Sequence, residues 1–147
     1  LRQKQREIAD RASVSAVPRA DFVVTNPTHY AVALRYDDTS MAAPQVIAKG
    51  TDLVALKIRE LAGVHQIPVL ESPMLARALY AHADLDQAIP AALYTAVAQV
   101  LAYVYRLKAA LRGEGLMPGE LGEPPVPVEL DPQHVRVAAA AQQEGEL

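Results

Sequence analysis

Two short apolar runs, Phe22-Val23-Val24-Thr25 and Ala31-Val32-Ala33-Leu34, flank the pentapeptide Asn26-Pro27-Thr28-His29-Tyr30. Runs this short, rich in β-branched residues, read as strands, and Asn-Pro is a strong turn starter. The chain must therefore place two apolar strands on either side of one tight turn. Whether they pair as a hairpin or diverge is left open by the residues alone.

The remaining pattern builds outward from that pair. Val32, Leu34 and Tyr36 alternate with Ala33 and Arg35, which predicts a half-buried strand. Val46-Ile47-Ala48, closed by Gly50, is a third strand candidate, and residues 67–70 are a fourth. Thr51 or Asp52 can cap a helix that runs to about Ala62, with Leu53, Val54, Leu56, Ile58 and Leu61 as its apolar face. Ser72-Pro73 is an N-cap followed by Pro at the first helical position, and Met74, Leu75, Ala78 and Leu79 then face the core. A long helix is expected from Pro90, with Leu93, Val97, Val100, Leu101, Val104 and Leu111 as one stripe. Residues 87–105 carry no charge, but Pro90, Thr95, Gln99 and many alanines make them a buried helix rather than a membrane span.

The expected fold class is α/β: a small four-stranded sheet packed with about three helices, preceded by a linker helix and followed by a disordered acidic tail. The boundaries are 1–20 for the linker, 21–112 for the compact domain and 113–147 for the Pro/Glu-rich tail. The linker residues are good helix formers with almost no apolar face. The chain opens on Leu1 in a helical pattern, which reads as a piece of a longer protein. The tail opens with Gly113-Glu114-Gly115 and carries Glu123-Pro124-Pro125-Val126-Pro127, a composition that cannot build a core.

Composition narrows the function classes. The net charge of −3 divides into a basic leader, a neutral middle and an acidic tail, so no basic face for nucleic acid is expected. The absence of cysteine removes disulfides and thiolate chemistry. His29, His65, His82 and His134 are scattered without paired ligand spacing, and there is no Gly-rich phosphate loop. No cofactor and no metal are expected.

What remains is the chemistry of Asn26-Pro27. Asparagine ordinarily degrades through attack by the next residue's backbone nitrogen, and Pro27 has no N–H to form that nucleophile. The reverse attack stays open: the Asn26 side-chain nitrogen reaches its own carbonyl carbon, a succinimide forms, and Pro27 leaves as an amine. A folded turn can hold near-attack geometry, strain the amide and supply proton partners. His29 is the nearby group suited to act as base or polariser, and Thr28 can hydrogen-bond the developing oxyanion or orient His29. On these residues alone an ordinary structural turn is the stronger reading.

Asn26-Pro27-Thr28-His29-Tyr30 resembles the signature of the FlhB family of flagellar type III export proteins and their injectisome relatives. The likeness continues in order through residues 21–36, 46–52 and 67–80, then Ile89-Pro90 and residues 97–108, covering roughly residues 17–110. Ala31-Val32-Ala33-Leu34 and Leu101-Ala102-Tyr103-Val104-Tyr105-Arg106-Leu107 look more like the flagellar branch. The resemblance implies a cytoplasmic domain joined by a linker helix to a membrane part that precedes it. It implies a location on the cytoplasmic face of the bacterial inner membrane. It further implies self-cleavage between Asn26 and Pro27, with Thr28 and His29 assisting and the fragments remaining associated. That cut permits a change of exported substrate class from rod and hook to filament subunits. The implied partners are other export-gate components, the hook-length control protein, and export substrates with their chaperones; the membrane is reached only through the preceding part. The reaction is a single turnover, not that of a turnover enzyme. An injectisome homologue with the same role and a non-cleaving docking module are the competing readings.

Overall fold

A computed structural model describes residues 2–145. Residue 1 of the expected linker and residues 146–147 of the expected tail lie outside the described residues. The elements are α1 (Arg2–Ser13), β1 (Phe22–Asn26), β2 (Tyr30–Arg35), β3 (Gln45–Thr51), α2 (Asp52–Val64), β4 (Val69–Glu71), α3 (Pro73–His82), α4 (Tyr94–Leu111) and α5 (Pro132–Gly145). One four-stranded sheet has the order β3-β2-β1-β4. β1 and β2 form an antiparallel hairpin, β3 adds antiparallel to β2, and β4 adds parallel to β1 on the other side. The fold class is the expected one, and the question of hairpin or divergence is resolved as a hairpin.

Successive strand residues point to opposite faces, and both faces are covered. Phe22, Val24, Val32, Leu34 and Val46 pack with Leu75, Leu79, Leu93, Val97, Val100 and Val104 of the α3–α4 side. Val23, Ala31, Ala33 and Ala48 pack with Ala55, Ile58 and Ala62 of α2 and with Val17. This corrects the half-buried reading of β2, because Ala31, Val32, Ala33 and Leu34 are all fully buried. The alternation of small and large side chains there reflects two covered faces of different depth: the alanines let α2 come close.

The helices differ from expectation at their edges. In α2 the buried residues are Ala55, Ile58 and Ala62, whereas Leu53 and Leu56 are exposed. Small residues on the face opposite the alanine layer let the helix approach the sheet, so the larger leucines project outward. A 3₁₀ turn at Ala91–Leu93 precedes α4, and Leu111 at the helix end is 70% exposed, outside the stripe that Val97, Val100, Leu101 and Val104 form. Gly50 is buried in β3 where an added Cβ would stand within 2.5 Å of Val54 Cβ. The absence of a side chain there lets the first turn of α2 fold back on the strand that feeds it.

The leader and the tail both reach the core. α1 is exposed except for the buried Asp10 and the half-buried Ser13, but the following 3₁₀ turn, Val14–Arg19, buries Val17 completely. The tail builds no core of its own, as its composition requires. However, Pro124, Val126 and Asp131 are buried, and Leu121 and Leu130 pack against the α3–α4 cluster. A segment too polar to form a core has here been laid along one that other elements supply. Among the described residues no helix is long and apolar enough to cross a membrane.

Candidate functional site

The pentapeptide is the tip of the β1–β2 hairpin. Asn26 pairs with Tyr30, leaving Pro27, Thr28 and His29 as an exposed loop. The His29 N–H donates to the Asn26 carbonyl at 3.0 Å, and Thr28 has φ +71°. Pro at the second position with positive φ at the third is the pattern of a type II turn, in which the third position normally holds Gly or Asn. Thr28 is instead β-branched, so the residue two places after Asn26 is held in a strained backbone conformation.

Neighbouring elements pin this turn from both sides. The Ser72 N–H donates to the Thr25 carbonyl at 2.9 Å, and the Asp52 N–H donates to the His29 carbonyl at 3.1 Å. Asp52 itself has φ +48°, and Thr51 pairs with Tyr30 in the β2–β3 ladder. The starts of α2 and α3 therefore hold the two ends of the turn, and both present the positive pole of a helix toward it. The carbonyl whose carbon the Asn26 side chain would attack already carries a backbone donor at a distance suited to a developing oxyanion. Thr28 and His29 side chains are exposed, and His29 lines a cleft of about 350 Å³ shared by Asn26, Tyr30, Asp52 and Arg77. Asn26, Pro27, Thr28 and His29 are thus brought together on one turn, with the carbonyl donor supplied by the His29 backbone.

Several residues that shape the site carry no local signal of that role. The Tyr30 ring packs on Tyr80, with centroids 5.0 Å apart, and the Tyr80 hydroxyl donates to Asp10 Oδ2 at 2.9 Å. Lys49 Nζ donates to the Tyr80 and Ala83 carbonyls at 3.1 and 2.9 Å. Burial pushes the Asp10 carboxyl and the Tyr80 hydroxyl up and the Lys49 ammonium down. A hydrogen bond from Tyr80 to the leader helix and ring packing of Tyr80 on Tyr30 thus connect α1 to the residue that follows the turn. Ser72, read as a cap, makes no side-chain cap bond, and its buried hydroxyl has no partner. Arg77 forms a bidentate pair with Asp131 at 2.9 and 3.0 Å. Partners this distant in the chain leave no local pattern to read. Among the described residues no group of His, Asp and Glu could hold a metal ion.

Fold and site together define a class: a small α/β domain whose central hairpin carries an exposed, strained Asn-Pro turn. Residues 1–104 match the model of the FlhB, HrpN, YscU and SpaS family, and the chain belongs to that family. It is 56% identical over 131 residues to the flagellar biosynthetic protein FlhB of Yersinia enterocolitica, covering 89% of this chain and 34% of that relative. The chain therefore spans about a third of that relative's length. The crystal structure of the cytoplasmic domain of FlhB from Shewanella putrefaciens superposes with a TM-score of 0.79 at 49% identity, over 86% of this chain and 98% of that one. A C-terminal domain of EscU bearing an asparagine-to-alanine substitution gives 0.60 at 33% identity, over 63% and 93%. Other solved forms of that EscU domain substitute the proline directly after this asparagine and the histidine two places beyond the proline. That spacing is the one Asn26, Pro27 and His29 have here.

Proposed function

We propose that this domain is the substrate-specificity switch of a flagellar type III export apparatus, and that it cuts its own chain once, between Asn26 and Pro27. The observation that carries the reading is the turn: an Asn-Pro bond beside a strained Thr28, with its carbonyl held by the His29 N–H. The Asn26 side-chain nitrogen forms a bond to the Asn26 carbonyl carbon and loses a proton. The bond to Pro27 breaks, the Pro27 nitrogen takes up a proton, and the five-membered imide left on Asn26 is opened by water. His29 serves as the proton relay and Thr28 as an assisting group. The reaction consumes its own site, so the domain is not a turnover enzyme, and no cofactor or metal takes part.

The topology supports a nicked product that stays folded. β1 ends at Asn26 and lies between β2 and β4, both of which belong to the downstream fragment. The spent turn relaxes while the sheet holds, changing a surface without dissolving the domain. That surface change is what permits the passage from rod and hook to filament export. The partners are the other export-gate components, the hook-length control protein, and export substrates with their chaperones. The leader joins the domain to a membrane-bound part at the cytoplasmic face of the inner membrane. The higher TM-score and identity of the FlhB domain, against those of EscU, favour the flagellar branch.

A denaturing gel of the purified chain tests this. Fragments of 26 and 121 residues are expected, and Asn26→Ala should leave one intact band. Asn26→Asp should be cut far more slowly, since a carboxylate lacks the attacking nitrogen. Cutting of that variant at the wild-type rate would remove the cyclisation route. A single intact wild-type band after days at neutral pH would leave only a docking role.

A further inference from the structure

The tail from Gly119 to Asp131 lies along α3 and α4 with a regular presentation. Leu121, Pro124, Pro127 and Leu130, every third residue, are turned wholly or partly toward the protein, and Val126 is buried beside them. The Pro-rich run from 123 to 127 has no helix or strand, as such a composition favours, and it then closes in a 3₁₀ turn at Val128–Leu130, where the Leu130 N–H donates to the Pro127 carbonyl at 2.9 Å. Both chain ends of the segment are fastened by polar contacts. The Tyr103 hydroxyl donates to the Gly119 carbonyl at 2.6 Å, and the His82 Nε2 stands 3.0 Å from the Leu130 carbonyl as its donor. Asp131 completes the set through its paired bonds to Arg77, whose side chain is 13% exposed against 6% for the aspartate. An aromatic side chain, an apolar trough, and an arginine that takes a carboxylate with both nitrogens are the parts of a peptide-recognition groove.

We propose that this face of α3 and α4 is a peptide-binding groove, filled in cis by residues 119–131 and open in trans to a partner's proline-rich segment that closes in a turn carrying a carboxylate for Arg77. The cis segment is the template for that chemistry. Covalent attachment keeps its effective concentration high, in the millimolar range for a short flexible tether, so a free segment competes only once the tail is loosened. Displacement has a consequence at the turn. Gln133 and Arg136 of α5 follow directly on Asp131 and form one wall of the cleft that holds Asn26 and His29. Release of the tail removes that wall. The groove does not depend on whether Asn26–Pro27 is cut, because Arg77 and Asp131 both lie downstream of it.

The test uses the 147-residue chain carrying Asn26→Ala, so that cutting is not a variable, and a labelled peptide of this chain's residues 117–135. Adding Asp131→Ala should free the tail, read as faster amide exchange in residues 119–131, and should raise peptide affinity at least tenfold. The same peptide with its aspartate replaced by alanine should lose at least tenfold against that loosened chain, as should the wild-type peptide against Arg77→Ala. Unchanged exchange in Asp131→Ala, or failure of the loosened but folded chain to bind the peptide, would overturn the proposal. If circular dichroism shows Asp131→Ala to be unfolded, the exchanged pair Arg77→Asp with Asp131→Arg decides. It should restore the protected tail, whereas Arg77→Asp alone, its tail loosened, should bind an arginine-bearing peptide in preference to the wild-type one, and indifference between the two peptides would overturn the groove.

Discussion

Thr28 occupies a backbone conformation that asparagine adopts readily and a β-branched residue does not. Residues held this way carry about 1–3 kcal/mol of strain. Because Thr28 follows the bond proposed to break, opening the loop would release that strain. Thr28→Asn should therefore stabilise the uncut Asn26→Ala domain by about 1 kcal/mol in urea denaturation. With Asn26 restored, it should slow cutting several-fold on a time course, since about 1.4 kcal/mol corresponds to a tenfold rate. A faster cut with unchanged stability would remove strain from the mechanism. Asn26, Pro27 and His29 were legible as a candidate site because their chemistry is contained within adjacent residues. Asp52 carries only the signal of a helix cap, and its N–H bond to the His29 carbonyl depends on β3 carrying the start of α2 to the turn.

At the scale of elements, Gly50 sets how β3 turns into α2. An alanine Cβ there would collide with the branched Val54 side chain, which has little freedom to move aside. Gly50→Ala should cost about 1–3 kcal/mol of stability by urea denaturation, the usual range for overpacking. Val54→Ala in the same chain should recover part of it, so a double-mutant cycle checks the contact. Periodicity marks Gly50 only as the end of a strand and carries nothing about the helix packed over it. The strands were legible because apolar runs and turns are local, and the Ser72-Pro73 start of α3 for the same reason. Leu53 and Leu56 lie outside the core because hydrophobicity alone does not say which face an alanine-lined layer will accept, and Leu111 because it ends α4 beyond Val104, the last residue of that helix to be buried. The docked tail was invisible because Arg77 and Asp131 are far apart in the chain. Their pair also predicts a pH response. The Arg77 guanidinium holds the Asp131 carboxyl below its ordinary value of 3.8. A lowered folded-state value means that the pairing contributes fully above the ordinary value and is lost as pH falls through the lowered one. Amide exchange, corrected for its intrinsic pH dependence, should show residues 119–131 protected at neutral pH and released in acid below about 3.8, with Asp131→Asn nearly insensitive over that window.

The whole molecule is divided by the proposed cut in an unusual place. The 26-residue upstream piece contains α1, the fully buried Val17, and β1 with Phe22, Val23 and Val24 equally buried. Each such side chain contributes roughly 1.5–3 kcal/mol by burial. β1 is also bonded along both edges, and Asp10 reaches Tyr80 in the other piece. The two pieces should therefore elute together from a sizing column and separate only in denaturant. Unfolding of the cut form then yields two chains instead of one, so its stability must depend on concentration. Diluting the cut protein a hundredfold should lower its apparent stability by about 2.7 kcal/mol and its melting temperature by several degrees. The Asn26→Ala chain should melt at the same temperature at both concentrations. A cut form whose melting ignores dilution would mean that the upstream piece detaches after the rest has already unfolded. The central position of β1 would then not be what holds the nicked domain together.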